Sequence, residues 1–116
     1  MQSGREIQDE LRAPVRELRR TAPEAWAGWA ALHEGAMGDG ALDRKTKELI
    51  ALAISVSKQC DGCIVSHAKG AARHGATPEE VADALGVAIL MNGGPATVYG
   101  PRAFALYQEF APPAEG

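Results

Sequence analysis

Two cysteines, one histidine and one glutamate form the part of the sequence best suited to chemistry. They are Cys60, Cys63, His67 and Glu48. The cysteines are separated by two residues at the predicted start of a helix, so a single disulfide can join their sulfurs. The positive end of the helix dipole favours a thiolate there and lowers the cysteine pKa. Because a thiolate attacks peroxides and disulfides, the pair predicts redox chemistry.

Helical spacing gives the two sulfurs unequal positions relative to the histidine. His67 follows Cys63 by four residues, so both lie on one face, one turn apart. Cys60 lies seven residues before His67, about 10 Å of helical rise away. Cys63 is therefore the better candidate for the activated sulfur, and Cys60 for the sulfur that completes the disulfide.

Glu48 precedes the cysteines by about three helical turns, on the helix before theirs. The turn at residues 59–62 should bring the second helix back antiparallel, so Glu48 is expected beside His67. There it could orient the imidazole and accept its proton. A carboxylate on an apolar helix is costly to bury without a partner, so a partner is expected.

A metal site, a haem attachment site and inert side chains are the other interpretations of these residues. A zinc site needs four ligands, and His67 and His74, seven apart, cannot both join the cysteines on one straight helix. Covalent haem attachment needs a histidine directly after the second cysteine, where Ile64 stands. Neither a metal nor a bound cofactor is therefore expected. Inert cysteines with a surface histidine, and a solvated Glu48, are the remaining structural alternatives.

The elements that must position these residues are predicted to be helices throughout. Apolar residues recur every three to four positions, and no alternating strand pattern stands out. Thr21 with Glu24, Asp43, and Thr77 with Glu80 are the predicted N-terminal caps. The predicted helices cover 5–20, the segment from Thr21 to Met37, 44–58, 61–74, 78–91 and 95–110, with a loose tail at 111–116.

Some features of these helices carry further expectations. Pro14 and Pro101 should bend or divide the helices that contain them. The helix over 44–58 has apolar residues on most of its sides, which predicts a central position. Trp26 and Trp29 lie one turn apart and are expected in the core or in a subunit interface.

Composition limits the classes of protein that remain. With 116 residues the chain is one domain of ordinary size, and its aromatic content of 5% leaves alanine and aliphatic residues to form the core. Such small-residue helices favour oligomers. A net charge of −3 without a basic face argues against nucleic acid as a partner. The sequence has no membrane-length apolar run and no signal-peptide core, so a cytoplasmic location is expected.

The spacing of the four residues resembles a family pattern: Glu, eleven residues, Cys-x-x-Cys, three residues, His. Segments 41–53, 75–81 and 91–96 are also similar to that family. The sequence is identified as a member of the AhpD-like branch of the carboxymuconolactone decarboxylase family, with the resemblance covering about 20–110.

This resemblance implies an all-α, AhpD-like bundle of five to six helices, a single domain over 1–116, and a homo-oligomer, commonly a trimer or hexamer. It implies thiol-dependent reduction of hydroperoxides. Cys63 would become a sulfenic acid, Cys60 would resolve it and donate a proton, and His67 and Glu48 would form a proton relay. Electrons would come from an external dithiol such as a lipoyl-bearing protein, with a peroxiredoxin as another redox partner.

The sequence departs from the best-known members at Gly62, where they carry an additional histidine. This difference bears on the redox partner and on the strength of the peroxidase activity. Two other functions also stay open. One is decarboxylation of a small lactone acid, with Arg102, His33 or His67 holding a carboxylate. The other is a non-enzymatic thiol adaptor that carries a disulfide between partners.

Overall fold

Six α-helices and no strand make up residues 1–113, the part of the chain that this computed structural model describes. The predicted all-α helical bundle in a single domain is confirmed. Residues 114–116 of the predicted tail lie outside the described part. The helices are α1 (Gly4–Thr21), α2 (Pro23–Met37), α3 (Arg44–Lys58), α4 (Asp61–Arg73), α5 (Pro78–Asn92) and α6 (Ala96–Phe110).

The core surrounds α4, the helix that begins at the cysteines. Its residues Ile64, Val65, Ala68 and Ala71 are completely buried. Helices α3 and α6 pack against it most extensively, and α1 also contacts it. Alanines on α4 allow these neighbours to approach closely, because their side chains occupy little space between the helices. The cysteine pair therefore begins a helix that α1, α3 and α6 enclose.

The prediction that the helix over 44–58 is central is only partly right. Leu52 and Val56 of α3 are buried, whereas Ile50 and Ile54 are about half exposed. A helix with apolar residues on most of its sides can be buried in the core of its own chain, or it can expose some of them on an interaction surface. The sequence pattern is the same in both cases. Helix α3 shares the central position with α4, because it packs against α2, α4, α5 and α6.

Two of the predicted helix caps are present. The Asp43 carboxylate accepts the Thr46 backbone N–H at 2.8 Å and begins α3. The Thr77 hydroxyl accepts the Glu80 N–H at 3.1 Å, and the Glu80 side chain accepts the Thr77 N–H at 2.9 Å. This reciprocal pair is a capping box, which leaves two backbone donors satisfied.

The cap predicted at Thr21 is wrong. Thr21 is the last residue of α1, and its hydroxyl donates to the Glu17 carbonyl at 2.8 Å. The N-cap of α2 is Ala22, whose side chain can accept no bond. The hydroxyl can serve the preceding helix as readily as the following one, and Pro23 fixes the restart one residue later.

The two internal prolines do not divide their helices. Pro14 lies within α1 and Pro101 within α6, and both helices continue through them.

Trp29 is 59% exposed, so it is not a core residue of this chain.

Within residues 1–113, no helix combines the length and apolar character needed to cross a membrane.

Candidate active site

The two cysteines form a disulfide at the first turn of α4. Cys60 is the N-cap of the helix, and its Sγ accepts the Cys63 backbone N–H at 3.2 Å. Cys60 is partly buried and Cys63 is exposed. A bridge over two intervening residues closes too short a loop to restrict the unfolded chain strongly. The bond is therefore better suited to reversible chemistry than to stabilising the fold.

A sharp connection of only two residues, Gln59 and Cys60, joins α3 to α4. Gln59 ends α3 in the left-handed conformation, with φ of 53°, and is the one non-glycine residue with positive φ in 1–113. Its N–H satisfies carbonyls of the last turn of α3. This turn makes α3 and α4 antiparallel neighbours, which brings Glu48 back toward the middle of α4.

Glu48 is buried, with an exposed fraction of 2%, and has two partners. Its Oε2 lies 2.9 Å from His67 Nδ1, and its Oε1 accepts from Arg44 Nε at 2.9 Å. Burial by itself raises the pKa of the Glu48 carboxyl, but hydrogen bonds with His67 and Arg44 outweigh it, so the pKa lies below its ordinary value. Glu48 is thus a carboxylate at neutral pH.

The state of Glu48 determines how His67 is arranged. A carboxylate only accepts hydrogen bonds, so His67 Nδ1 donates to it. In the neutral imidazole this leaves Nε2 as the basic nitrogen. The His67 side chain is 19% exposed, one turn after Cys63 on the same helix. The arrangement can take up a proton at Nε2 and stabilise the resulting imidazolium through Glu48.

Arg44 and Gly70 are two contributors to this site that the sequence interpretation missed. A Cβ added at Gly70 would lie 2.2 Å from Glu48 Oε2 and 2.4 Å from its Cδ, so only glycine leaves room for the carboxylate. Arg44 precedes Glu48 by four residues on α3, a spacing that identifies it as a candidate partner. No comparable signal in the sequence identified Gly70.

The structure also shows what occupies the space beside Gly62. A Cβ there would lie 3.2 Å from Leu11 Cδ1, because α1 covers this side of α4. Position 62, where the sequence departs from the pattern that it resembles, therefore faces an apolar side chain. A larger residue at 62 would require Leu11 to move.

The other candidate residues, Arg102 and His33, lie on α6 and α2, respectively. Arg102 donates to the Asp61 carboxylate at 3.2 Å and stacks over Tyr99, which places it at the start of α4. His33 stacks on Trp29 with 5.1 Å between ring centroids and contacts neither cysteine in the part of the chain described. Across residues 1–113, no group of three or more His, Cys, Asp or Glu side chains is arranged to hold a metal ion.

The fold and this site together define an all-α protein with a cysteine pair next to a Glu–His pair. The sequence profile of the carboxymuconolactone decarboxylase family matches residues 23–106. This chain belongs to the carboxymuconolactone decarboxylase family.

Individual relatives agree with that assignment. A crystal structure of the apo form of a carboxymuconolactone decarboxylase family protein from Legionella pneumophila is 39% identical, with a TM-score of 0.90 over 94% of this chain and 97% of that one. An uncharacterized protein of Cupriavidus necator is 39% identical over 78% of this chain and 80% of its own length. An uncharacterized protein in the cox locus of Paracoccus denitrificans is 39% identical over 84% and 87%, respectively.

Proposed function

We propose that this protein is a thiol-dependent peroxidase that reduces hydroperoxides through Cys60 and Cys63. The observation that carries the proposal is the Cys60–Cys63 disulfide at the first turn of a helix that also bears His67, paired with Glu48. Family membership and a disulfide-forming pair support redox function in general. The specific activity toward hydroperoxides is the step that we add.

The reaction begins with the reduced protein. The Cys63 thiolate attacks one oxygen of the hydroperoxide, the O–O bond breaks, and the alkoxide leaves as an alcohol after taking a proton. Cys63 is thereby oxidised to a sulfenic acid. His67, with Glu48 behind it, takes up the thiol proton and returns it to the leaving oxygen.

The second half of the reaction forms the disulfide. The Cys60 sulfur attacks Cys63 Sγ, and the sulfenic oxygen leaves with two protons as water. One hydroperoxide and two thiols thus give one alcohol, one water and one disulfide. An external dithiol then reduces the disulfide and is itself oxidised, which restores both thiols.

The decisive measurement is consumption of an organic hydroperoxide with dihydrolipoamide as the dithiol. We expect turnover by the wild type, none by Cys63→Ser, and, when peroxide is added without the dithiol, a single sulfenic acid in Cys60→Ser. The two serine variants are matched controls for each other. A wild type that forms a reversible disulfide but consumes no peroxide would identify the thiol adaptor instead.

Thiol titration tests the asymmetry between the sulfurs. In the Cys60→Ser and Cys63→Ser variants, we expect the remaining Cys63 to have the lower pKa, below about 8.5 for a free thiol. Glu48→Gln in the Cys60→Ser background should raise the pKa of Cys63, because it removes the charge that stabilises protonated His67. Equal, ordinary values in both variants would contradict an activated site.

A further inference from the structure

A polar cavity of about 280 Å³ lies against Glu48 and is separate from the thiols. Neither cysteine nor His67 lines it, although Glu48 and Gly70 do. The side chains around it that can carry charge are Arg44, Lys69, Arg73, His33, His74 and Glu48. The cavity thus adjoins the buried carboxylate but does not open onto the sulfurs.

The lining is basic in a protein that is acidic overall. Three permanent cations, Arg44, Lys69 and Arg73, face one carboxylate, Glu48, whereas the whole chain has a net charge of −3. The chain has only three basic residues after position 60, and two of them, Lys69 and Arg73, line this cavity. Bringing like charges together costs free energy unless an anion lies between them.

The donors of these cations are largely unused. Among residues 1–113, neither Lys69 nor Arg73 forms an ion pair, and Arg44 uses only Nε toward Glu48. Lys69 Nζ lies 5.4 Å from the centroid of the Phe110 ring, and within residues 1–113 its ammonium donates no hydrogen bond to an oxygen or nitrogen. Lys69 and Arg73 are four residues apart on α4, so they project from one face of the helix.

The neighbouring cavity has a different character. It shares Arg44 and His74, but Asp39 and Asp43 contribute carboxylates to its lining. These carboxylates also accept backbone N–H groups at the start of α3. The excess of unpaired basic groups is therefore specific to the cavity beside Glu48.

We propose that this cavity is a binding site for a small oxyanion, a phosphate or a carboxylate group, held by Arg44, Lys69 and Arg73. Guanidinium groups match such oxygens in a two-pronged geometry, and the lysine adds a point charge. A volume just below the usual range of about 300–1,000 Å³ suits an ion of a few heavy atoms rather than a large cofactor. Because Arg44 contacts both the cavity and Glu48, the bound anion would adjoin the Glu48–His67 pair.

Binding of inorganic phosphate and of succinate, each titrated calorimetrically at constant ionic strength with chloride as the balancing anion, tests the proposal. We expect saturable binding of one anion per chain, and the tighter of the two probes identifies the preferred group. The titration uses the Cys60→Ser/Cys63→Ser protein as well as the wild type. Equal binding by both separates this site from the proposed peroxidase chemistry.

Charge-neutralising variants locate the bound anion. Lys69→Gln/Arg73→Gln should weaken binding about tenfold or more, since each charge-assisted bond contributes at this level. Lys58→Gln/Arg19→Gln makes the same change in net charge with residues outside the cavity, and should bind like the wild type. If the first pair fails to fold, the single Arg73→Gln change at an exposed position replaces it. Binding no stronger than to chloride, or equal losses in both pairs, would overturn the proposal.

Discussion

Glu48 is the residue on which the site depends electrostatically, and its titration should be visible in the stability of the fold. Its folded-state pKa is lowered, so the ionised form stabilises the folded chain. This contribution is complete above the unfolded pKa of about 4.3 and is lost as the pH falls through the lower folded pKa.

Glu48→Gln should therefore be less stable than the wild type at neutral pH, by about 1–3 kcal/mol for the charged hydrogen bonds lost. The difference should shrink as the pH falls below about 4. Urea denaturation at several pH values measures both quantities. Glu24→Gln, at an exposed position without an ion pair in residues 1–113, is the control and should show no such pH-dependent difference. A gap that stays constant with pH would contradict the stabilising role of the charge.

Gly70 leaves the space that the Glu48 carboxylate occupies. Gly70→Ala places a methyl group on the Glu48 carboxylate, so the variant should lose about 1–3 kcal/mol of stability by overpacking. The proposed peroxide turnover should fall with it, because the methyl group would displace Glu48 from His67. Gly86→Ala is the matched helical control, with open space around its Cβ, and should gain about 0.5–1 kcal/mol. Chemical denaturation compares the pair, and equal shifts would exclude a specific clash.

The Tyr107 side chain of α6 forms a hydrogen bond with the connection between α4 and α5. Buried Tyr107 donates its hydroxyl to the Ala76 carbonyl at 2.5 Å. Tyr107→Phe should cost about 1–3 kcal/mol, because it leaves this carbonyl without a partner. Tyr99→Phe, on the same helix and without a hydroxyl hydrogen bond in the described residues, should change stability little. Thermal denaturation of both variants would reveal whether the bond or the ring is responsible.

Sequence predicts the elements well where their signals are local. Asp43 and Thr77 begin helices through bonds to residues three positions away, so both caps could be predicted. Thr21 shows the limit, since its hydroxyl could bond to either neighbouring helix. The proximity of Glu48 and His67 was predicted from an antiparallel α3–α4 pair. Gly70 and Tyr107 depend instead on which helices pack together and how closely, and periodicity does not contain that information.

Helices α3 and α5 leave apolar side chains in solvent. Leu90 is 80% exposed and Met91 77% on α5, and Ile50 and Ile54 are half exposed on α3. The Asn92 side chain donates to Ser57 Oγ at 2.8 Å and joins the ends of these two helices. Because α3 and α5 are packed neighbours, these side chains lie on adjacent helices, and a contiguous exposed apolar patch usually marks an interaction surface. The homo-oligomer expected from the sequence stays a prediction, and this surface is where we expect it to form.

Leu90→Asp should therefore reduce the subunit number, because it places a charge in the expected interface. Light scattering coupled to size-exclusion chromatography measures the mass directly. Ala13→Asp, an equal charge change at an exposed position of α1, should leave the mass unchanged. An oligomer that survives Leu90→Asp would move the interface elsewhere, for example to exposed Trp29 and Leu32 on α2.

The two-residue connection between α3 and α4 also fixes a register. Glu48 lies ten residues before the end of α3, about 15 Å of rise, and Gly70 lies nine residues after the start of α4, about 13.5 Å. Glutamate and glycine therefore meet at the same level of the antiparallel pair. One residue inserted in α3 between Glu48 and Lys58 would turn Glu48 by about 100° around the helix axis and shift it by about 1.5 Å along that axis, relative to α4. The fixed number of residues between the glutamate and the cysteines thus follows from helical geometry, and an insertion between them should disrupt the site even where the chain still folds.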